Sequence, residues 1–343
     1  MSRPVRGAAG ALAGLLLAAS LAGCGQALQQ QPGPGTDAAS LEPHRVIAED
    51  GYRLPLRHWP AEGEPRALVL AVHGFNDHAG SFAVMAEALA PHGIATYAFD
   101  QRGFGLTDQR RIWPGHQRLT DDVRLLVELL RERHPDTPLY LLGKSMGAAV
   151  VLLTLADDPP PGLAGSVLVA PAVWGLDAMP WYQRASLWLG VRLIPSVSFS
   201  ANAVRRLGIR PTDDPEIIDH LARDPLILRR ARVDTLHGVS ETMDLALEAA
   251  RRLPAPALIL YGDEDQVIPP EAICALLDRL PERGDDVPGW RLALYPDGYH
   301  MLTRYTRRER TEADLAAWLR DPAAALPSGH ERTPAQARDA LCR

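Results

Sequence analysis

Residues 139–151 read Leu-Tyr-Leu-Leu-Gly-Lys-Ser-Met-Gly-Ala-Ala-Val-Val. An apolar, strand-like run ends in Gly143-Lys144-Ser145-Met146-Gly147, and a helix-compatible run of small and apolar residues follows. A serine in that setting sits on a sharp strand-to-helix turn that pushes its hydroxyl clear of the sheet. The turn leaves almost no room for side chains two residues to either side, and glycine meets both that demand and the strained dihedrals. The start of the following helix aims N–H groups and the positive end of its dipole at a developing oxyanion. The stretch therefore predicts an α/β chain with Ser145 as nucleophile.

A serine hydroxyl is a poor nucleophile until a base takes its proton, and the base needs a carboxylate to fix its tautomer. Two strand–loop units downstream supply both. Leu258-Ile259-Leu260-Tyr261 is a strand that runs into Gly262-Asp263-Glu264-Asp265, and Leu292-Ala293-Leu294-Tyr295 runs into Pro296-Asp297-Gly298-Tyr299-His300. Each candidate lies just past the carboxyl end of a strand, and the chain order is nucleophile, acid, histidine. His300 is the expected base and later the acid for the leaving group. Asp263, Glu264 and Asp265 are rivals for the acid, since Asp263 can equally hold the turn after Gly262.

Together with His73-Gly74-Phe75-Asn76-Asp77-His78-Ala79-Gly80 and Asp100-Gln101-Arg102-Gly103-Phe104-Gly105, these motifs resemble the monoacylglycerol lipase and lysophospholipase branch of the α/β-hydrolase family over most of residues 45–320. The resemblance implies that Asp265 is the triad acid. It also implies an oxyanion hole made by the backbone N–H groups of Phe75 and Met146. The implied activity is serine-dependent cleavage of a carboxylic ester of monoacylglycerol or lysophospholipid type. Acyl transfer, amide cleavage with the same triad, or a non-catalytic lipid-binding role are the alternatives. Epoxide and haloalkane hydrolysis are disfavoured, because those reactions use an aspartate where Ser145 stands. One departure from the branch is Lys144, where a histidine is usual. Its side chain is expected to pack or be solvated behind the elbow. The loop after Asp100 is expected to brace strand ends, and His78 to make a structural hydrogen bond.

The rest of the chain fits this frame. Arg45–Ala48 and Arg53–Trp59 read as a hairpin, and Ala67–Val72, Ile94–Phe99 and Gly165–Ala170 as buried strands. Phe82–Ala90 reads as a helix, and Thr120-Asp121-Asp122 as the cap of another. Helices near Glu271–Leu280 and Glu309–Leu319 alternate with the last strands. Alternation of this kind implies a mostly parallel sheet flanked by helices. Between 172 and 235 the rhythm breaks into Trp- and Leu-rich helical sequence with no convincing strand. It is read as a helical cap over the strand ends, where ligands bind in such sheets. Met179, Trp181, Tyr182, Leu187, Trp188, Leu189, Val191, Leu193 and Ile194 are expected mostly to pack on the core, with a lid that receives an acyl chain as the sharper alternative. The expected division is 43–171 and 236–320 for the core, 172–235 for the cap and 321–343 for a C-terminal tail.

The N-terminus carries a separate signal. Arg3 and Arg6 precede an apolar run, Ala8 to Ala22, that closes in Leu21-Ala22-Gly23-Cys24. The run is too short and too Ala- and Gly-rich for a comfortable membrane span and fits an export signal over 1–23. Its end resembles a bacterial lipoprotein signal. That resemblance implies cleavage before Cys24, lipid attachment there, and a place in the bacterial cell envelope on a membrane. Residues 24–42, with Gln29-Gln30-Gln31-Pro32-Gly33-Pro34-Gly35, read as a flexible tether that lets the enzyme stand clear of the lipid surface. Cys274 reads as a core residue and Cys342 as part of a polar tail. A disulfide between them is possible, but their spacing gives it no support. The net charge of −6 on 343 residues is too mild and mixed for a nucleic-acid binder. No Cys, His and carboxylate spacing suggests a metal, and no cofactor is expected. Nothing in the sequence fixes the oligomeric state.

Overall fold

The computed structural model describes residues 27–35, 38–156, 158–174, 179–200, 208–281 and 289–342. The export signal and Cys24 lie outside the described residues. The main-sheet strands of the first half are β1 (Ser40–Glu42), β2 (Arg45–Ile47), β3 (Arg53–Trp59), β4 (Ala67–Val72), β5 (Ile94–Phe99), β6 (Leu139–Lys144) and β7 (Leu163–Val169). The insertion holds a separate pair, β8 (Ser198–Ser200) and β9 (Arg230–Arg232). The main sheet resumes with β10 (Ala257–Gly262), β11 (Trp290–Tyr295) and β12 (Glu331–Arg332). Its order is β1-β2-β3-β5-β4-β6-β7-β10-β11-β12. The run β5-β4-β6-β7-β10-β11 is parallel, and both edges are antiparallel.

The central strands are apolar without alternation because both faces of the sheet are covered. Every residue of β4, β5, β6, β10 and β11 is buried. The pleat divides them between two cores. Leu68, Leu70 and Val72 join Val123, Leu126, Val127 and Leu130 on one side. Val69 and Ala71 join Phe82, Met85, Leu89 and Trp318 on the other. The helices are α1 (Ala83–Leu89), α2 (His116–Arg133), α3 (Met146–Ala156), α4 (Trp181–Leu193), α5 (Pro215–Arg223), α6 (Val233–Ala249), α7 (Pro270–Leu277), α8 (Arg308–Arg320) and α9 (Pro334–Leu341). Of these, α3 lies deepest, with every residue but Leu153 buried, as a helix apolar all round must be.

Four expectations change. Helix α2 begins at His116, four residues before the expected cap, and Gly115 at its N-cap gives no side-chain bond. Asp122 is diverted from capping because Arg102 Nε binds its buried carboxylate at 2.8 Å. The cap contains strands after all, since Ser198–Ser200 pairs antiparallel with Arg230–Arg232. The stretch read as a tether is partly built into the body. Ser40–Glu42 pairs with β2, and buried Gln30 donates from Nε2 to Ile112 O at 2.9 Å. Gln31 and Gln109 then exchange hydrogen bonds of 2.8 and 2.9 Å.

Of the stretch 321–343, read as a tail, residues 321–342 are also structured. Strand β12 pairs with β11, and Thr333 and Gln336 form a capping box at the start of α9. Ala337 and Leu341 pack into the core, and Cys342 is disulfide-bonded to Cys274. The two cysteines meet because α9 returns across α7, a contact that linear spacing does not reveal. The bridge spans 68 residues, so the chain-entropy account assigns it about 4 kcal/mol. Cys274→Ser, or reduction of the native chain, is therefore expected to lower Tm by several degrees. Calorimetry with and without dithiothreitol measures this, and an unchanged Tm would refute it.

Candidate active site

Ser145 follows β6 and precedes α3, and it holds the left-handed conformation expected of the elbow, with φ at 55°. The strain is tolerated because the turn is over-determined. Ser145 N–H donates to Val169 O at 2.9 Å, and its carbonyl accepts from Ala148 and Ala172 N–H at 2.9 and 3.1 Å. A Cβ on Gly147 would stand 2.0 Å from Val72 O, so only glycine lets α3 begin this close to β4. The side chain of Ser145 is half-buried while its neighbours on both sides are fully buried.

The acid and the base follow β10 and β11, which lie beyond β7 on the same side of the sheet from β6. Of the three candidate carboxylates, Asp263 and Glu264 are exposed and Asp265 is buried. Asp265 Oδ2 lies 2.8 Å from His300 Nδ1. Its other oxygen accepts Val267 and Ile268 N–H at 2.8 and 2.9 Å, so both oxygens are engaged and the carboxylate cannot swing. A carboxylate accepts only, so Nδ1 carries the hydrogen and Nε2 is left as the acceptor. Backbone packing brings the two loops together. A Cβ on Gly262 would lie 2.2 Å from Gly298 O, so the ends of β10 and β11 touch main chain to main chain.

The loop after β4 faces the elbow. His73 is fully buried, donates from Nδ1 to Gly74 O at 2.8 Å and accepts Gln101 N–H on Nε2 at 3.0 Å. Burial lowers its pKa and so favours the neutral ring that this pattern needs. It thereby braces the turn that carries the Phe75 amide, while the Met146 amide opens α3. Asp100 braces the same region, accepting Ala79 and Leu106 N–H at 2.7 Å each. That is the supporting role expected of this loop. His78 donates from Nε2 to Asp224 Oδ2 at 2.8 Å, tying this loop to the insertion just past α5. Lys144 departs from expectation. It is neither solvated nor merely packed but is ion-paired with Asp77 at 2.5 Å, both side chains buried.

The apolar surroundings were not legible in sequence. Phe75, Phe104, Trp113, Met146, Leu228, Val239 and Met243 form one cluster, so both expected oxyanion residues lie in an apolar wall completed by the insertion and α6. Leu228 and Val239 occupy ordinary-looking helical and loop sequence, and no local signal marks them. The conspicuous cap residues lie elsewhere. No residue of α4 is buried, and Trp181, Tyr182, Trp188, Leu189 and Leu193 are exposed, Trp181 by 76%. Their expected packing on the core is therefore corrected. Among the described residues, no group of three or more His, Cys, Asp or Glu could hold a metal ion.

A family model described as serine aminopeptidase, S33 (Hydrolase_4) matches residues 63–306. The protein belongs to this family. This S33 chain is 29% identical over 288 residues to the monoacylglycerol lipase of Mycolicibacterium smegmatis, covering 80% of this chain and 96% of that one. It is 29% identical over 266 residues to the monoglyceride lipase of Homo sapiens, covering 76% and 83%. Among solved structures, a soluble variant of the Saccharomyces cerevisiae monoglyceride lipase, in complex with a substrate analog, superposes with a TM-score of 0.68 at 22% identity. That match covers 86% of the S33 chain and 100% of the yeast one. The expected α/β-hydrolase fold is thus the observed one.

Proposed function

We propose that the protein is a serine hydrolase that cleaves carboxylic esters of monoacylglycerol or lysophospholipid type through an acyl-enzyme on Ser145. The observation that carries this reading is the buried 2.8 Å bond from His300 Nδ1 to Asp265, downstream of a serine strained to φ 55°. His300 Nε2 takes the Ser145 proton as Oγ attacks the ester carbonyl. The tetrahedral oxyanion receives hydrogen bonds from the Phe75 and Met146 amides. Collapse breaks the carbon–oxygen bond to the alcohol, which leaves with the proton from His300. Water, deprotonated by His300, then attacks the acyl-enzyme and releases the acid and Ser145. The apolar wall of Leu228, Val239 and Met243 supports an acyl chain as the part bound beside the elbow.

The names of the relatives support the ester reading, and the family's description as a serine aminopeptidase favours peptide hydrolysis as the second. p-Nitrophenyl esters from acetyl to dodecanoyl, set beside aminoacyl p-nitroanilides, separate them. The expected result is ester cleavage with kcat/KM rising at least tenfold from acetyl to the preferred chain. A flat profile would remove the acyl pocket. Anilide cleavage alone would make this a peptidase, and fluorophosphonate labelling without either points to acyl transfer. A folded chain that neither turns over nor labels would be a binding lipoprotein.

The reading extends to export and a lipid anchor at Cys24. The Cys274–Cys342 disulfide supports an oxidising compartment. The anchor would hold the enzyme close. Cys24 is three residues from Ala27, a span of at most about 11 Å. Ala27 and Gln30 line the same surface cavity as Val191 of α4. The bilayer would then meet α4, whose exposed Trp, Tyr and Leu side chains stand beside Arg184 and Arg192 with no acidic residue in the helix. That composition suits a membrane interface. Trp181→Ser/Trp188→Ser in the lipid-free chain from residue 27 is expected to weaken binding to anionic vesicles several-fold while leaving hydrolysis of a soluble short ester unchanged. Equal vesicle binding would refute the contact.

A further inference from the structure

One buried ion pair is not used by the chemistry above. Lys144 is the residue before the nucleophile, and its Nζ lies 2.5 Å from Asp77 Oδ2, with side chains 3% and 7% exposed. Asp77 Oδ1 accepts His78 N–H at 3.0 Å, and Asp77 N–H donates to Gly74 O at 3.3 Å. The turn from Gly74 to His78 thus wraps a carboxylate that is gripped from the nucleophile side. Burial pushes the Asp77 carboxyl up, but the Lys144 ammonium, and Arg304 after it, hold it well below the usual carboxylate range. A buried pair seldom stabilises a fold more than apolar residues of the same volume would. Its geometry is what apolar residues could not replace.

Phe75 lies inside the turn that Asp77 closes, and Met146 is two residues from Lys144. The elbow and the turn already pack closely at Gly74, where a Cβ would stand 3.1 Å from Ser145 Cβ and 3.2 Å from Lys144 O. The turn is also held from behind by the His73 and Asp100 hydrogen bonds, but none of those bonds reaches the elbow. The Lys144–Asp77 pair adds a directed, charged bond between the same two segments and so restricts how the turn can rotate on that packing. We propose that Lys144 and Asp77 are positioning residues whose ion pair sets the Phe75 amide against the Met146 amide, so that both address one oxyanion. This rests on the reading of Ser145 as nucleophile. The pair touches no reacting atom, and its effect falls on the transition state, where the oxyanion forms.

The test uses the full chain with Lys144→Met/Asp77→Asn, which removes both charges together and leaves an acceptor for His78 N–H. The expected result is kcat down at least tenfold, KM within twofold and Tm within a few degrees, the pattern of a lost transition-state interaction. Asp77→Glu keeps both charges but lengthens one arm by a methylene. It is expected to lower kcat several-fold at unchanged KM, and it carries the test if the double variant does not fold. Wild-type kcat in either folded variant overturns the proposal, as does a raised KM with kcat unchanged. Ser145→Ala is assayed alongside. If it is inactive while the double variant runs at the wild-type rate, only the positioning role fails. If Ser145→Ala is active, the nucleophile reading itself fails.

Discussion

Ser145→Ala is expected to abolish ester hydrolysis and fluorophosphonate labelling while leaving the fold intact. Loss of a triad serine costs about 10⁶-fold in kcat, because no other group forms the acyl-enzyme. What survives is the much smaller acceleration from the oxyanion amides and binding. The fold should hold because the anchoring bonds of the elbow are all main-chain: the amide to Val169 O and the carbonyl to Ala148 and Ala172. Alanine keeps them and keeps the left-handed turn at the modest cost that serine already bears. A p-nitrophenyl butyrate assay, a labelling gel and a melting curve suffice. Residual activity above one part in a hundred in a folded, homogeneous variant would exclude Ser145 as nucleophile.

Asp265→Asn has the second-largest expected effect, about 10⁴-fold in kcat with KM nearly unchanged. The direction follows from the hydrogen bonds. One oxygen at this position is held by two N–H donors, from Val267 and Ile268, at 2.8 and 2.9 Å. Asparagine must put its single oxygen there, so its NH₂ group faces His300 Nδ1. Nδ1 then has to accept, the hydrogen moves to Nε2, and the nitrogen that should take the serine proton is occupied. Asp263→Asn is the control, expected within threefold of wild type because that carboxylate is exposed. Steady-state kinetics of both variants decide between the rival acids. Equal losses would mean that Asp265 does not orient the histidine.

What the sequence made legible was local. The elbow, the acidic loop and His300 each sit in a short motif after a mostly apolar strand, and the structure places them at the ends of β6, β10 and β11 on one side of the sheet's centre. The strands Ile94–Phe99 and Trp290–Tyr295 have the boundaries that their apolar runs imply. What stayed hidden depends on partners distant along the chain. Asp122 looks like a helix cap until Arg102, 20 residues earlier, claims it. Lys144 looks solvated until Asp77, 67 residues earlier, is seen beneath it. The apolar wall at the elbow draws Leu228 and Val239 from segments with no distinctive local pattern. In α4 the error ran the other way. Helical spacing of large apolar residues predicts burial, whereas no residue of this helix is buried.

The disulfide has one more consequence. Cys274 and Cys342 close a covalent ring that contains His300, whereas Ser145 and Asp265 lie on the open chain outside it. A single proteolytic nick anywhere inside that ring leaves one covalent molecule, its fragments still bridged. After reduction, a nick between Cys274 and His300 leaves the histidine on a piece with no covalent link to Asp265. The bridge thus keeps His300 and Asp265 on one covalent molecule after a cut between them that falls within the ring.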